Sequence, residues 1–363
     1  MSDVRREPPL RVPYDGSVNP RLAAYAAATW SVAYGGLGLL WTLGAGGFPF
    51  GVTNDPGAEL SLLGGVTAAA AAPIIAALGL TGGMVGLVMA GNRGGSWRPA
   101  LLSFAWTAAI VLALLIPDYR VLVLVAYTPI VIIGALFGWA PGGGATLSDA
   151  APWPVVNQLI CIGGGLAWAA AAVSYGRLTR GACARCGRTD VGGGWTTPEV
   201  AARWGRWAVG VAVLIPVLYA LTRWAWALGV PLGITEEFLR EGQASGLWLA
   251  GAALATMAVI GALLTLGLTQ RWGEEFPVWF PVIGARRVPP ALAIVPAALI
   301  AVVVTSAGLM FVRLALAGGF AFDEDTTFTL TDNWAALAPE LLWPIWGAAL
   351  GAATLGYHYR RRG

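Results

Sequence analysis

The chain has no lysine: all 22 of its basic residues are arginines. A phosphate-binding P-loop needs its lysine, and Schiff-base enzymes and retinal proteins need an amine, so these classes are excluded. Histidine is almost as scarce. With His358 alone, a bis-histidine haem, a di-iron site built on paired Glu-x-x-His and His-Glu-x-x-His zinc hydrolysis cannot be assembled. No Gly-x-Ser-x-Gly nucleophile elbow occurs, since Gln243-Ala-Ser-Gly has the wrong spacing. Charged residues make up 11% of the chain, against about a quarter in soluble proteins. A net charge of +3 gives no support to a nucleic-acid role.

Hydrocarbon fills the space that charge leaves. Of 363 residues 57% are hydrophobic, and the mean hydropathy is +0.68. The apolar residues come in blocks of roughly twenty, the length a helix needs to cross about 30 Å of lipid, without the period-2 alternation of a membrane barrel. The expected fold class is an all-α polytopic integral membrane protein.

The expected spans are 22–44, 60–89, 100–116, 155–173, 207–228, 247–268, 289–316 and 335–357, about eight transmembrane helices. One further apolar segment, 121–140, follows Pro117-Asp118-Tyr119-Arg120 and is ambiguous: it is long enough to cross. The organisation reads as a cytoplasmic N-terminal tail (1–21), a first membrane half (22–175), a basic hinge (176–206), a second membrane half (207–357) and an arginine-rich tail (358–363). The N-terminal tail is polar and proline-rich, and lacks the apolar core and cleavage site of a signal peptide. Gly36, Gly38 and Gly44 are expected to let a neighbouring helix approach, and Trp41 to sit at the membrane interface. Pro73, Pro129, Pro216, Pro281 and Pro296 are expected inside spans, where they free backbone groups that a neighbour or cavity must satisfy.

Charge sets the expected orientation. With the N-tail, the Arg93/Arg98 loop, the hinge, the Arg286/Arg287 loop and the C-tail on one side, that side collects 18 of 22 arginines, and the other collects 12 of 19 acids. By the positive-inside rule the arginine side is cytoplasmic, which places both termini there, in the plasma membrane. This needs an even number of crossings between Arg98 and Arg177 and favours a re-entrant or interfacial 121–140, whereas hydropathy favours an extra crossing. The halves also resemble each other in order. Trp41-Thr-Leu-Gly parallels Trp226-Ala-Leu-Gly, Leu78-Gly-Leu-Thr parallels Leu266-Gly-Leu-Thr, and Tyr175-Gly-Arg parallels Tyr357-His-Tyr-Arg. Four crossings per half would make the repeats parallel, related by an axis along the membrane normal.

Several residues are candidates for chemistry. Cys183-Ala-Arg-Cys186-Gly-Arg has the form of one zinc-ribbon knuckle in the hinge, with His358 as a third ligand and Asp190 or a second subunit completing the shell; reduced thiols in a surface loop are the plainer reading. Asn157 and Gln158 begin a span and must either line a cavity or hydrogen-bond a neighbouring helix. Arg223 and Arg313 near span ends either snorkel to headgroups or form an ion pair with Glu340 or Glu237. The outer acidic cluster Asp323, Glu324 and Asp325, with Asp332, is either a solvated loop or a divalent-cation site.

The stretch Trp153-Pro-Val-Val-Asn-Gln-Leu-Ile-Cys161-Ile-Gly-Gly-Gly-Leu-Ala-Trp168, leading into Cys-x-x-Cys-Gly-Arg, resembles uncharacterised multi-spanning membrane proteins of high-GC actinobacteria, as does the lysine-free composition. That resemblance implies a cellular setting and no mechanism. Three roles remain open: a transporter or permease with a pathway between the halves, a non-catalytic membrane partner that docks through the hinge, and a membrane enzyme acting on lipid-linked substrates at its acidic loops. The bilayer is the expected partner, with a protein partner or a second copy beside it.

Overall fold

The computed structural model describes residues 20–92, 95–137, 151–183, 187, 194–278, 284–317, 320–323, 326–328 and 332–361. The first half contains α1 (Pro20–Thr42), α2 (Ala68–Ala90), α3 (Arg98–Ile110, continued by a π turn over Val111–Leu115), α4 (Tyr119–Leu136) and α5 (Trp153–Leu178). The second contains α6 (Pro198–Ala227), a short α7 (Glu236–Ala244), α8 (Leu247–Leu266), α9 (Pro290–Leu316), α10 (Trp334–Leu341) and α11 (Trp343–Arg360). Among the described residues the only sheet is an antiparallel hairpin, β1 (Phe320–Asp323) with β2 (Thr326–Phe328). The expected all-α class therefore holds apart from this hairpin in the acidic loop.

Helix starts follow proline chemistry. Pro99, Pro154, Pro198, Pro290 and Pro344 each sit in a first turn, where the missing N–H has no partner to lose. The span expected to begin near Leu60 begins instead at Ala68, because Leu60–Val66 form turns that fold Leu63 and Val66 onto Phe48 and Phe50. The last expected span, 335–357, is broken at Leu342, where Pro344 opens a new helix. Pro73, Pro129, Pro216 and Pro296 do lie inside helices, while Pro281 is outside the described residues.

Among the described residues six helices are long and apolar enough to cross a membrane: α2, α3 with its flanking turns, α5, α6, α8 and α9. The expected spans at α1 and α11 are outside this set. Both are sandwiched, α1 between α2 and α5 and α11 between α6 and α9. Their Tyr, Trp, Ser and Thr residues therefore face protein at many positions where an outer helix would meet lipid. In α2 the usual soluble pattern is reversed. Ala72, Ala76, Gly82, Gly83 and Gly86 are buried while Ile74, Leu78, Leu80, Met84 and Leu87 are exposed. In lipid, apolarity does not draw helices together, so close contact between small residues does.

That contact is tight. A methyl placed on Gly79 would stand 2.3 Å from the Gly35 Cα, and one on Gly38 2.6 Å from the Ala76 nitrogen. Gly36 and Gly44, also expected at this contact, have open space around them. The helical period puts residues 31, 35 and 38 on one face and turns Gly36 away. Trp41, expected at the membrane interface, packs against protein. It is buried, edge-on to Tyr34 and Phe48 in an aromatic column that starts at Trp30 and ends at Phe50.

The helices pair in the same order in both halves: α1 with α2 and α5, and α3 with α5; then α6 with α8 and α11, and α9 with α11. The seam between the halves is formed by α9 against the π turn and α4. Side-chain contacts fix which ends lie together. Trp153 donates to the Gly47 carbonyl at 2.7 Å, and Arg120 pairs with Asp55, so the ends of α1 and α3 and the starts of α2, α4 and α5 share one end of the bundle. At the other end Arg98 donates to Thr179, while Arg360 and Arg361 tie the end of α11 to Leu268, Glu274 and Val288. We call these the acidic and the arginine-rich ends.

Candidate functional site

The main polar cluster is built on the connection Pro117–Arg120 at the acidic end. Pro117 stops α3, and the π turn before it is a widened geometry that often marks functional positions. Asp118 caps α4, its Oδ1 accepting from the Arg120 N–H at 3.0 Å. The Arg120 guanidinium folds back over this cap, with Nη2 2.7 Å from Asp118 Oδ2 and 2.8 Å from Asp55 Oδ2. Asp55 in turn caps a 3₁₀ turn by accepting from Gly57. A methyl on Gly57 would stand 2.6 Å from Arg120 Nη1 and would push the guanidinium aside. Burial works to lower the Arg120 pKa, but hydrogen bonds and charges from Asp118 and Asp55 outweigh it and hold the guanidinium above its ordinary value.

Gln158 completes the cluster from α5. Its Nε2 donates to Asp118 Oδ2 at 2.8 Å and its Oε1 accepts from the Asp118 N–H at 3.0 Å, a two-way clasp at a buried position. Asn157 points elsewhere. It is fully buried and accepts from the Tyr34 hydroxyl at 2.8 Å, with the Cys161 thiol donating to that hydroxyl at 3.6 Å. Across the seam, Ser306 on α9 donates to the Pro117 carbonyl at 2.7 Å, and Arg313 donates to the Leu60 carbonyl. Between these elements lies a cavity of about 200 Å³. It is lined by leucines from α3, α9 and the α1–α2 loop, with Ser306, Asp118 and Arg313 as its polar members.

A second cluster lies at the acidic end of the second half. Arg223 is buried, donates to the Ala335 and Ala336 carbonyls and pairs with Glu340. Its guanidinium carbon lies 4.7 Å from the Tyr219 ring centre and 4.3 Å from that of Trp226, a cation–π cage. Arg223 therefore does not snorkel. Among the described residues Glu340 Oε2 and Trp343 Nε1 have no hydrogen-bond partner although both are buried.

The remaining candidates are not drawn together. Cys183 is exposed, and Cys186 and Asp190 lie outside the described residues. His358 stands edge-on to Tyr359. Among the described residues no three His, Cys, Asp or Glu side chains gather as a metal site would require. Asp323 ends β1 opposite Thr326, and Glu324 and Asp325 are outside the described residues. Sequence reasoning missed Asp118, Arg120, Tyr34 and Ser306. The only local signal was a charged pair beside a proline between two apolar runs, which reads as a break and not as a site.

Compared with protein-family models, curated proteins and solved structures, the chain matches none. The fold itself defines a class: a helical protein whose long apolar helices, six among the described residues, suit a membrane-embedded chain.

Proposed function

We propose that this protein is a transporter- or permease-like membrane protein whose pathway follows the seam between its two halves. The observation that carries the reading is the cavity in that seam, where Asp118, Ser306 and Arg313 meet at the junction of the π turn with α9. One turn along α9 toward the arginine-rich end, Val303 packs with Val121, Leu124, Val155 and Ile162 in a hydrocarbon cluster that closes the seam. A pathway open at one end and plugged below is one state of an alternating-access cycle.

The shared pairing order of the helices supports two parallel four-helix repeats, with eight crossings in all. Asp118 and Trp153, which bracket the ambiguous segment, are both held at the acidic end, which supports an even number of crossings between Arg98 and Arg177. The arginine-rich end is taken as cytoplasmic. Three of the four arginines at the acidic end support this orientation, since Arg120, Arg223 and Arg240 are each paired with a carboxylate.

Cysteine accessibility tests the pathway. In a background lacking Cys161, Cys183 and Cys186, L309C in the cavity should react with an impermeant thiol reagent from the acidic side. V303C in the plug should react slowly, from either side, as the seam opens. A V303C that stays inert from both sides under every condition would show a static seam and end the transport reading.

A further inference from the structure

We infer that the seam cavity binds a long-chain anion, a carboxylate or phosphate headgroup on an alkyl chain, with Arg313 holding the head. As a statement about substrate this rests on the pathway reading above; as a statement about binding it does not. Of the four arginines at the acidic end, Arg120, Arg223 and Arg240 are each paired with a carboxylate. Arg313 is held differently: Asp118 acts on it only through its field, and among the described residues its hydrogen-bond partner is the Leu60 carbonyl alone. A guanidinium carries five N–H donors in a planar fork suited to carboxylate or phosphate. It sits three residues before the end of α9, at headgroup level in the proposed orientation, directly on the cavity.

The rest of the lining selects the other end of the ligand. It is almost wholly hydrocarbon, from Leu62, Leu114, Leu115, Leu309 and Met310. The Ser306 hydroxyl is spent on Pro117, and the Asp118 carboxylate is committed to Arg120 and Gln158. Leu62 and Leu115 remain 47% and 38% exposed, so the mouth is bounded by apolar surface and a ligand enters from lipid. At about 200 Å³ the cavity is below the roughly 300–1,000 Å³ of pockets that enclose whole ligands, so it holds one end of a longer molecule. Inorganic phosphate would satisfy Arg313 and leave the leucines unfilled. A neutral lipid would do the reverse. An amphipathic anion does both.

Native mass spectrometry of the full chain in a non-ionic detergent tests this with four probes: phosphatidylglycerol, oleate, phosphatidylcholine and inorganic phosphate. One saturable adduct is expected for phosphatidylglycerol, oleate or both, at least about tenfold tighter than for phosphatidylcholine. Phosphatidylglycerol alone would identify a membrane phospholipid as the source, whereas oleate binding would show that a single-chain acid suffices. The adduct should weaken at least about tenfold in Arg313→Gln, and also in Leu309→Trp, which fills the cavity and keeps the charge. Folding is checked by size exclusion, and Leu309→Trp decides if Arg313→Gln does not fold. Equal binding of phosphatidylcholine, phosphate binding as tight as lipid, or an adduct unchanged in the folded variants would mean surface lipid only and overturn the site. A bound anion with an inert V303C would keep the site and sink the pathway; a reactive V303C without an anion would do the opposite.

Discussion

Removing Arg223 should destabilise the second half more than removing both Arg223 and its partner. The pair is nearly sealed from solvent, with side chains 10% and 6% exposed. Arg223→Met leaves the Glu340 carboxylate buried with no cation and strips two carbonyls of their donor. Breaking a buried pair from one side costs about 3–5 kcal/mol. Glu340→Gln is milder, about 1–3 kcal/mol, because the guanidinium keeps its carbonyls and its cage of Tyr219 and Trp226 while losing a charged acceptor. The double variant Arg223→Met/Glu340→Leu replaces the pair by hydrocarbon of similar volume, a change that is often close to neutral. Its cost should therefore fall below that of Arg223→Met alone, and the cycle closed with the Glu340→Leu single variant should show a coupling of about 2 kcal/mol or more. Unfolding in mixed micelles, followed through tryptophan fluorescence, measures all of these; Trp226 caps the guanidinium, and Trp343 lies edge-on to Tyr219 beside it. Additivity within about 0.5 kcal/mol would show that the two charges do not meet and would refute the argument.

Two further outcomes follow from contacts described above. Gly79→Ala should cost about 1–3 kcal/mol in the same unfolding assay, because its methyl meets Gly35 backbone that has nowhere to move. Gly36→Ala, on the open face of the same helix as Gly35, should be neutral or stabilise by up to about 1 kcal/mol. Equal effects at the two sites would mean that α1 and α2 do not touch along this stripe. Asp118→Ala removes a cap, three Arg120 side-chain hydrogen bonds and the bond from Gln158 Nε2, and should cost about 1.5–3 kcal/mol. Asp118→Asn keeps the cap and should cost less, a ranking that the same assay checks.

The apolar blocks of α2, α5, α6, α8 and α9 were legible in sequence because about twenty hydrophobic residues in lipid have few alternatives to a helix. The separation of arginines from acids was legible too, and Arg98 with Thr179 and Arg120 with Asp55 meet at the ends that it implies. Glu340 was named as a partner for Arg223, but only as one of two. A separation of 117 residues leaves no periodic signal, and only tertiary packing chooses. The glycine stripe was half legible. Gly38 was placed correctly, but Gly36 was chosen over Gly35 because neighbouring glycines look alike until the facing helix is known. Asp118 and Arg120 read as an interruption for a related reason: their partners Asp55 and Gln158 come from two other elements.

The most direct test of the account is the sidedness of three thiols, each in a chain free of other cysteines: T53C on the α1–α2 loop, E237C on α7 and the native Cys183. All three positions are exposed. In intact cells an impermeant maleimide should label T53C and E237C alike and leave Cys183 untouched until the membrane is opened. Labelling of Cys183 from outside, or opposite behaviour of T53C and E237C, would contradict parallel halves and the seam between them.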